Sequence, residues 1–128
     1  MRFIILVFAC LGSFNLVGQQ QIGQRIFNDD ASQSVEILAS NEDGSIFIVG
    51  YPSMGSGSNY NHGQVKVFQL VNDEWVQIGN TINGLNNGFF GSSVSINSDG
   101  NIIAVGAPFA DFNNSTDIGY VQVFINEN

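Results

Sequence analysis

An internal repeat constrains this chain more than any other feature of its sequence. When the sequence is shifted by 56 positions, residues 21–72 align with residues 77–128 without a gap, and sixteen of the 52 aligned pairs are identical. About three identities are expected by chance for ordinary composition. A duplication of this kind is typical of folds in which copies of one small structural unit are stacked.

Both copies carry turn signals between apolar runs. The dipeptide Asp-Gly occurs once in each copy, at residues 43–44 and 99–100, and it predicts a hairpin turn whose residues have positive φ. The runs that follow, residues 46–49 and 102–105, are unbroken and predict strands covered on both faces. Gly-x-Pro then ends each of these strands.

The sequence predicts three more types of strand: one after the Gly-x-Pro loop, a fourth strand, and a first strand before the Asp-Gly turn. Residues 63–68 and 119–124 alternate apolar and polar side chains and predict a half-exposed strand in each copy. Residues 75–78 predict a fourth strand, and residues 93–96 predict the first strand of the second copy. The matching first strand, within residues 35–39, aligns either without a gap or with a short slip.

Four short antiparallel strands in about 56 residues, with no helical period after residue 20, are typical of one β-propeller blade. The sequence therefore predicts an all-β chain with two four-stranded antiparallel blades. A β-sandwich made of duplicated hairpins is the alternative.

The net charge and the few basic residues exclude one class of binding partner. The 128 residues contain three basic and 11 acidic side chains, for a formal net charge of −8. Nucleic acids and anionic membrane surfaces are bound by clustered Lys and Arg. The three basic residues here are scattered, at Arg2, Arg25 and Lys66, so the sequence excludes a nucleic-acid partner.

The first eighteen residues have the layout of a secretory signal peptide. A basic residue, Arg2, precedes an apolar run over residues 3–11, and small residues follow near Gly18. The run is about half the length that a membrane-spanning helix needs, so no span is expected in the mature chain. The alternatives are a membrane anchor, a buried strand, or a lipoprotein that carries its lipid on Cys10, the sole cysteine.

Short motifs in the second copy resemble the FG-GAP repeat. They are Phe-Gly at residues 90–91, Asp-Gly at 99–100, Gly-Ala-Pro at 106–108 and Gly-x-Val-x-Val-Phe at 119–124. In the first copy Phe-Gly is absent and Gly-Ala-Pro is replaced by Gly50-Tyr51-Pro52, so the first unit is divergent.

The resemblance implies a β-propeller of the kind found at the head of integrin α-subunits and in exported bacterial surface proteins. It implies a first blade at residues 19–76 and a second at 77–128, the second truncated at its C-terminus. Because propellers have four to eight blades, further blades or self-association are expected to complete the structure.

Some FG-GAP repeats bind calcium, which requires several oxygen ligands in one loop. The Asp-Gly loops here lack the downstream acid of that pattern. Residues 111–117 have a more calcium-like spacing, with Asp111 and Asp117 at the ends, but lie in another loop and lack the central glycine. We therefore expect no cofactor and assign no metal ligand, with calcium as an alternative whose ligand set is incomplete.

No catalytic constellation is evident in the sequence. His62, the sole histidine, lies among Gly, Ser and Asn, as a surface residue would. The acidic pairs at 29–30 and 73–74 lie in turn-like segments. Trp75 could stack on a sugar, but the resemblance favours packing between blades. We assign no catalytic and no cofactor-binding residue, and expect a protein that is not an enzyme.

These observations predict an exported binding, adhesion or scaffolding protein at the cell surface. The longest loops, residues 53–62 and 109–118, are the candidate contacts for a protein or glycan partner. One alternative is a glycan-binding or glycan-processing module that uses Trp75. Another is an N-terminal fragment of a larger propeller with no activity of its own.

Overall fold

A computed structural model describes residues 18–27, 37–55, 61–85 and 87–127 of the chain. Residues 1–17 with Cys10, the acidic pair at 29–30 and loop residues 56–60 lie outside this part, and the predictions made for them are not addressed by it. The described residues form strands and turns with no helix, which confirms the all-β class. The strands are β1 (Ile37–Ser40), β2 (Ile46–Tyr51), β3 (Gln64–Val71), β4 (Glu74–Asn83), β5 (Ser93–Ile96), β6 (Ile102–Ala107) and β7 (Tyr120–Ile125).

The strands form two antiparallel sheets, ordered β1-β2-β3-β4 and β5-β6-β7. The sheets share one register: Ile37 pairs with Gly50 in the first, and Ser93 pairs with Gly106 in the second, 56 positions along. The first strand of each sheet therefore follows the ungapped alignment, and no slip is needed. β4 contains the predicted fourth strand and runs past residue 76 as part of the first sheet.

An asparagine closes each Asp-Gly hairpin. The side-chain oxygen of Asn41 accepts a hydrogen bond from the Ile46 backbone N–H at 2.9 Å, and Asn97 does the same for Ile102 at 2.9 Å. Only the glycine of each Asp-Gly pair has positive φ, 72° at Gly44 and 78° at Gly100. The positions of the turns are thus as predicted, but the expectation of positive φ at the aspartates is wrong. Each loop is a five-residue loop held by Asn.

The main core lies between the two sheets. The first sheet contributes the face that carries Val65 and Val67, called here the valine face. The second sheet contributes the face that carries Phe124, called the phenylalanine face. In the repeat this face is equivalent to the other face of the first sheet, not to its valine face. Phe90 fills the space between them with no exposed surface. Two faces of different type therefore pack together, in an arrangement called here head-to-tail stacking.

The phenylalanine face of the first sheet forms a smaller core. Val49, Tyr51 and Phe68 are buried there, and Phe47 and Trp75 pack against them. Lys66 also lies on this face, is 8% exposed, and places its Nζ 5.7 Å from the centre of the Tyr51 ring. The prediction of a half-exposed β3 is therefore wrong, because other groups cover both faces of this strand.

The two sheets form a wedge. They touch where β5 packs against β1 and β2, and among the described strands no other contact of this kind joins them. A cleft of about 620 Å³ opens on the other side, between β4 and β7. The β2–β3, β4–β5 and β6–β7 connections share one end of the sheets, called here the loop end.

Candidate binding surface

The β6–β7 loop at the loop end has its own hydrogen-bonded structure. Phe112 and Ser115 exchange two backbone hydrogen bonds of 3.0 Å across Asn113 and Asn114, whose φ angles of 50° and 62° are those of a two-residue hairpin turn. An Asp111 side-chain oxygen accepts a hydrogen bond from the Asp117 backbone N–H at 3.0 Å. Residues 109–118 thus form a small ordered hairpin.

Large apolar side chains are exposed on and beside this hairpin. Phe112 is 61% exposed, Ile118 55% and Phe109 50%, and Leu85 of the β4–β5 connection is 54% exposed. The Phe109 ring packs edge to face against Phe89 at a centroid distance of 5.6 Å. Exposed apolar groups held on an ordered loop are typical of a surface that binds a partner.

The β4–β5 connection fastens the two sheets at the same end. The Phe90 backbone N–H donates to the His62 carbonyl at 3.2 Å, and Gly91 lies against Gly50 of β2. The Gly91 N–H donates to the Gly106 carbonyl at 3.0 Å. Phe-Gly therefore serves as a contact between sheets: Phe90 fills the core, and the glycine permits close approach of two backbones.

This arrangement agrees with the comparison to known families, in which the family model of the FG-GAP repeat matches residues 82–124. Over residues 82–124 the chain is similar to the FG-GAP repeat. The match includes Phe-Gly, Asp-Gly and Gly-Ala-Pro, the motifs on which the resemblance rested. Comparison of the chain with curated proteins and with solved structures found no significant match.

Within the matched residues 82–124, the calcium-like spacing at residues 111–117 forms a closed loop. The Asp111 carboxylate already accepts the Asp117 backbone N–H, and a hydrogen-bonded turn fills the residues between them. Among the described residues no group of three or more His, Cys, Asp or Glu side chains could hold a metal ion. The carboxylates of this loop are those of Asp111 and Asp117, and calcium takes six to eight oxygen ligands.

The candidate acid–base residues lie far apart. His62 precedes β3, whereas Asp73 and Glu74 lie where β3 turns into β4. An eight-residue strand separates the two positions, which is about 25 Å at 3.3 Å per residue. The structure therefore does not bring His62 together with these two acids.

Trp75 is a packing residue whose partners sequence reasoning missed. Its ring meets Phe47 edge to face at 4.5 Å, and its indole N–H donates to the Ile22 carbonyl at 3.0 Å. The Gln24 side chain bonds both the N–H and the carbonyl of Trp75, each at 2.8 Å. The sequence carried one signal for this contact, because Ile22-Gly23 recurs 56 positions later as Ile78-Gly79.

Among the described residues, Asp43 has a carboxyl group with a shifted pKa. Hydrogen bonds from Ser45, including its backbone N–H at 2.8 Å, lower the pKa of Asp43 from its ordinary value. The ionised form is favoured because both Ser45 groups donate to it. These hydrogen bonds hold the β1–β2 turn.

The described part of the chain includes no helix that is long and apolar enough to cross a membrane.

Proposed function

We propose that the chain is part of an exported, non-catalytic β-propeller protein that binds a protein partner at the cell surface through its loop end. The observation that carries the binding role is the exposure of Phe109, Phe112, Ile118 and Leu85 at one end of the sheets. Aromatic side chains on rigid elements supply contact area at low cost in conformational entropy.

The wedge-shaped arrangement of the two sheets supports the proposal that they are propeller blades. Blades of a propeller surround a central channel, so neighbouring sheets are closest at their first strands and diverge toward their last. Here β5 packs on β1 and β2, while a cleft separates β4 from β7. The shared register of the two sheets supports the view that both are blades.

The test of the binding role uses the labelled chain and intact cells of the organism that produces it. We expect saturable binding that protease treatment of the cells abolishes and that the double substitution Phe109→Ala, Phe112→Ala weakens about tenfold or more. Val76→Ala is the control, because Val76 is 45% exposed on β4, away from the loop end. Binding that the double variant leaves unchanged contradicts the proposal.

The glycan-binding alternative has a separate readout. Its stacking residue, Trp75, is occupied by contacts with Phe47 and Ile22, so we expect no saturable heat on titration of the chain with glycans. Saturable sugar binding that Trp75→Ala abolishes would favour the glycan module over the protein partner.

Export rests on the sequence of residues 1–18. We expect the secreted chain to begin near Gln19, as read by mass spectrometry, and Cys10→Ser to leave its release unchanged. Retention in the membrane fraction that depends on Cys10 would support the lipoprotein alternative instead.

A further inference from the structure

The tip of the β6–β7 hairpin contains two overlapping copies of one short motif. Asn113 is followed two positions on by Ser115, and Asn114 is followed in the same way by Thr116. The triplet Asn-x-Ser/Thr, in which x is not proline, is the acceptor sequence for N-linked sugars on surface loops of secreted proteins. Within the 128 residues, no other asparagine is followed by Ser or Thr at this distance. The motif is therefore confined to one turn of the chain.

The structure presents this motif on an exposed turn. Asn113 and Asn114 are the two central residues of the turn that Phe112 and Ser115 close, and every residue from 111 to 118 is exposed. In the described structure, no side chain of residues 113–116 has a hydrogen-bond partner. The side-chain amides and hydroxyls of the motif are thus available to an enzyme without the opening of a strand.

The turn accounts for the asparagines but not for the hydroxyls. Asn113 and Asn114 have φ of 50° and 62°, and asparagine tolerates this conformation better than most residues. Ser115 takes part in the turn through its backbone N–H and carbonyl alone, so the fold does not require its hydroxyl. The equivalent residues of the first copy, 57–60, read Gly-Ser-Asn-Tyr and contain no such triplet. The triplets are therefore not part of the repeated pattern.

N-glycosylation joins the side-chain amide nitrogen of asparagine to C1 of a sugar. The sugar is supplied by a separate transferase from a donor in which C1 is linked to the diphosphate of a lipid. The bond between C1 and the diphosphate oxygen breaks as the N–C1 bond forms, the amide nitrogen gives one proton to a base of the transferase, and the lipid diphosphate leaves as an anion. The step is a substitution without oxidation or reduction. Because a sugar is bulky, one sugar on either asparagine blocks the other.

We propose that the tip of the β6–β7 hairpin, residues 113–116, is an acceptor site for one N-linked sugar, attached to Asn113 or Asn114. The site goes beyond the proposed function and rests on one part of it, export, because the modification belongs to secreted proteins. The sugar stands on the tip of an ordered hairpin, so it adds a hydrated group to the surface without replacing a contact of the fold.

The test measures the intact mass of the exported chain from the organism that produces it, with tandem mass spectrometry of the peptide that contains residues 109–118. We expect a mass above that of the processed sequence and sugar fragment ions from this peptide. The double substitution Ser115→Ala, Thr116→Ala removes both triplets, leaves the positive-φ asparagines in place, and should abolish the added mass. Ser98→Ala is the matched control, because Ser98 is an exposed serine of another hairpin and lies outside any such triplet.

Further variants separate the amide from the hydroxyls. Asn113→Asp with Asn114→Asp keeps residues that tolerate positive φ but removes both amide nitrogens, so the sugar should be lost. Exchange of the hydroxyls, Ser115→Thr with Thr116→Ser, preserves both triplets and should keep the sugar. Ser115→Ala alone disables the triplet of Asn113, and Thr116→Ala alone disables that of Asn114. The single variant that loses the sugar identifies the acceptor, and retention in both singles means that either asparagine accepts it.

The inference is overturned if the exported chain has the mass of its sequence alone, or if the double alanine variant keeps the sugar. It is also overturned if the double aspartate variant keeps the sugar, because the sugar would then be attached to a hydroxyl. An unmodified chain that stays inside the cell contradicts both the site and export, whereas an unmodified exported chain contradicts the site alone. Failure of the acceptor site and failure of export are therefore distinguishable.

Discussion

Asn41 and Asn97 make the same hydrogen bond in surroundings of different polarity. Each accepts a backbone N–H at 2.9 Å, but Asn41 is only 7% exposed and also donates to the Ser45 hydroxyl at 3.3 Å. The Asn97 side chain bonds to Asn101 in a solvent-exposed loop. A buried donor that loses its acceptor costs more free energy than an exposed one, because water replaces the acceptor only at the surface.

We therefore expect Asn41→Ala to lower the free energy of unfolding by about 1–2 kcal/mol, and Asn97→Ala by about 0.5 kcal/mol. Urea unfolding of both variants at neutral pH measures the difference. Equal losses would show that burial does not determine the contribution of this hydrogen bond.

Asp43 gives the same turn a dependence on pH. Hydrogen bonds from Ser45 lower its pKa in the folded chain, so the ionised carboxylate stabilises the fold above the ordinary Asp pKa. That stabilisation is lost as the pH falls through the lowered folded-state value. We expect the difference in unfolding free energy between the native chain and Asp43→Ala to be larger at pH 7 than at pH 2. A difference that does not change with pH would contradict the assigned hydrogen bonds.

At the scale of elements, the contact between β2 and the start of β5 depends on glycine. A Cβ atom on Gly50 would overlap the carbonyl oxygen of Gly91, a backbone atom that cannot move without displacing β5. At the equivalent Gly106 the nearest atom is the hydroxyl of Ser93, which can rotate away. The two positions are matched in register and differ in what the new methyl group would meet.

Gly50→Ala should therefore destabilise the chain by about 2 kcal/mol or more, the range of overpacked cores, whereas Gly106→Ala should change stability by less than about 0.5 kcal/mol. Thermal unfolding of the two variants compares them directly. If both substitutions are tolerated, the sheets do not approach each other as closely as described.

The repeat pattern predicted the strands because each carries a local signal, such as the apolar run of β2 or the turn before β4. It could not predict burial, which depends on what lies next to a strand. Val65 and Val121 are identical residues at equivalent positions, yet their side chains are 0% and 69% exposed. The loops were identified as candidate contacts from their length, but the contact of Trp75 with Ile22 required the structure, because 53 residues separate the two.

At the scale of the whole molecule, head-to-tail stacking leaves one face of the second sheet uncovered. The valine face of the first sheet packs on the phenylalanine face of the second. On the second sheet's own valine face, Val121, Val123 and Ile125 are 69%, 67% and 60% exposed. Such contacts join unlike surfaces, so they continue until a ring closes or another surface covers the last face.

We therefore expect the isolated chain of residues 19–128 to self-associate in proportion to its concentration. Light scattering coupled to size exclusion, over a wide dilution series, measures the association. Val123→Lys should shift the chain toward monomer, because a lysine on the uncovered face would lose its hydration when another copy packs there. Val76→Lys, at an exposed valine of β4, should not. A compact, cooperatively melting monomer at every concentration would contradict this expectation, because it would mean that three exposed β-branched side chains on one sheet face need no cover.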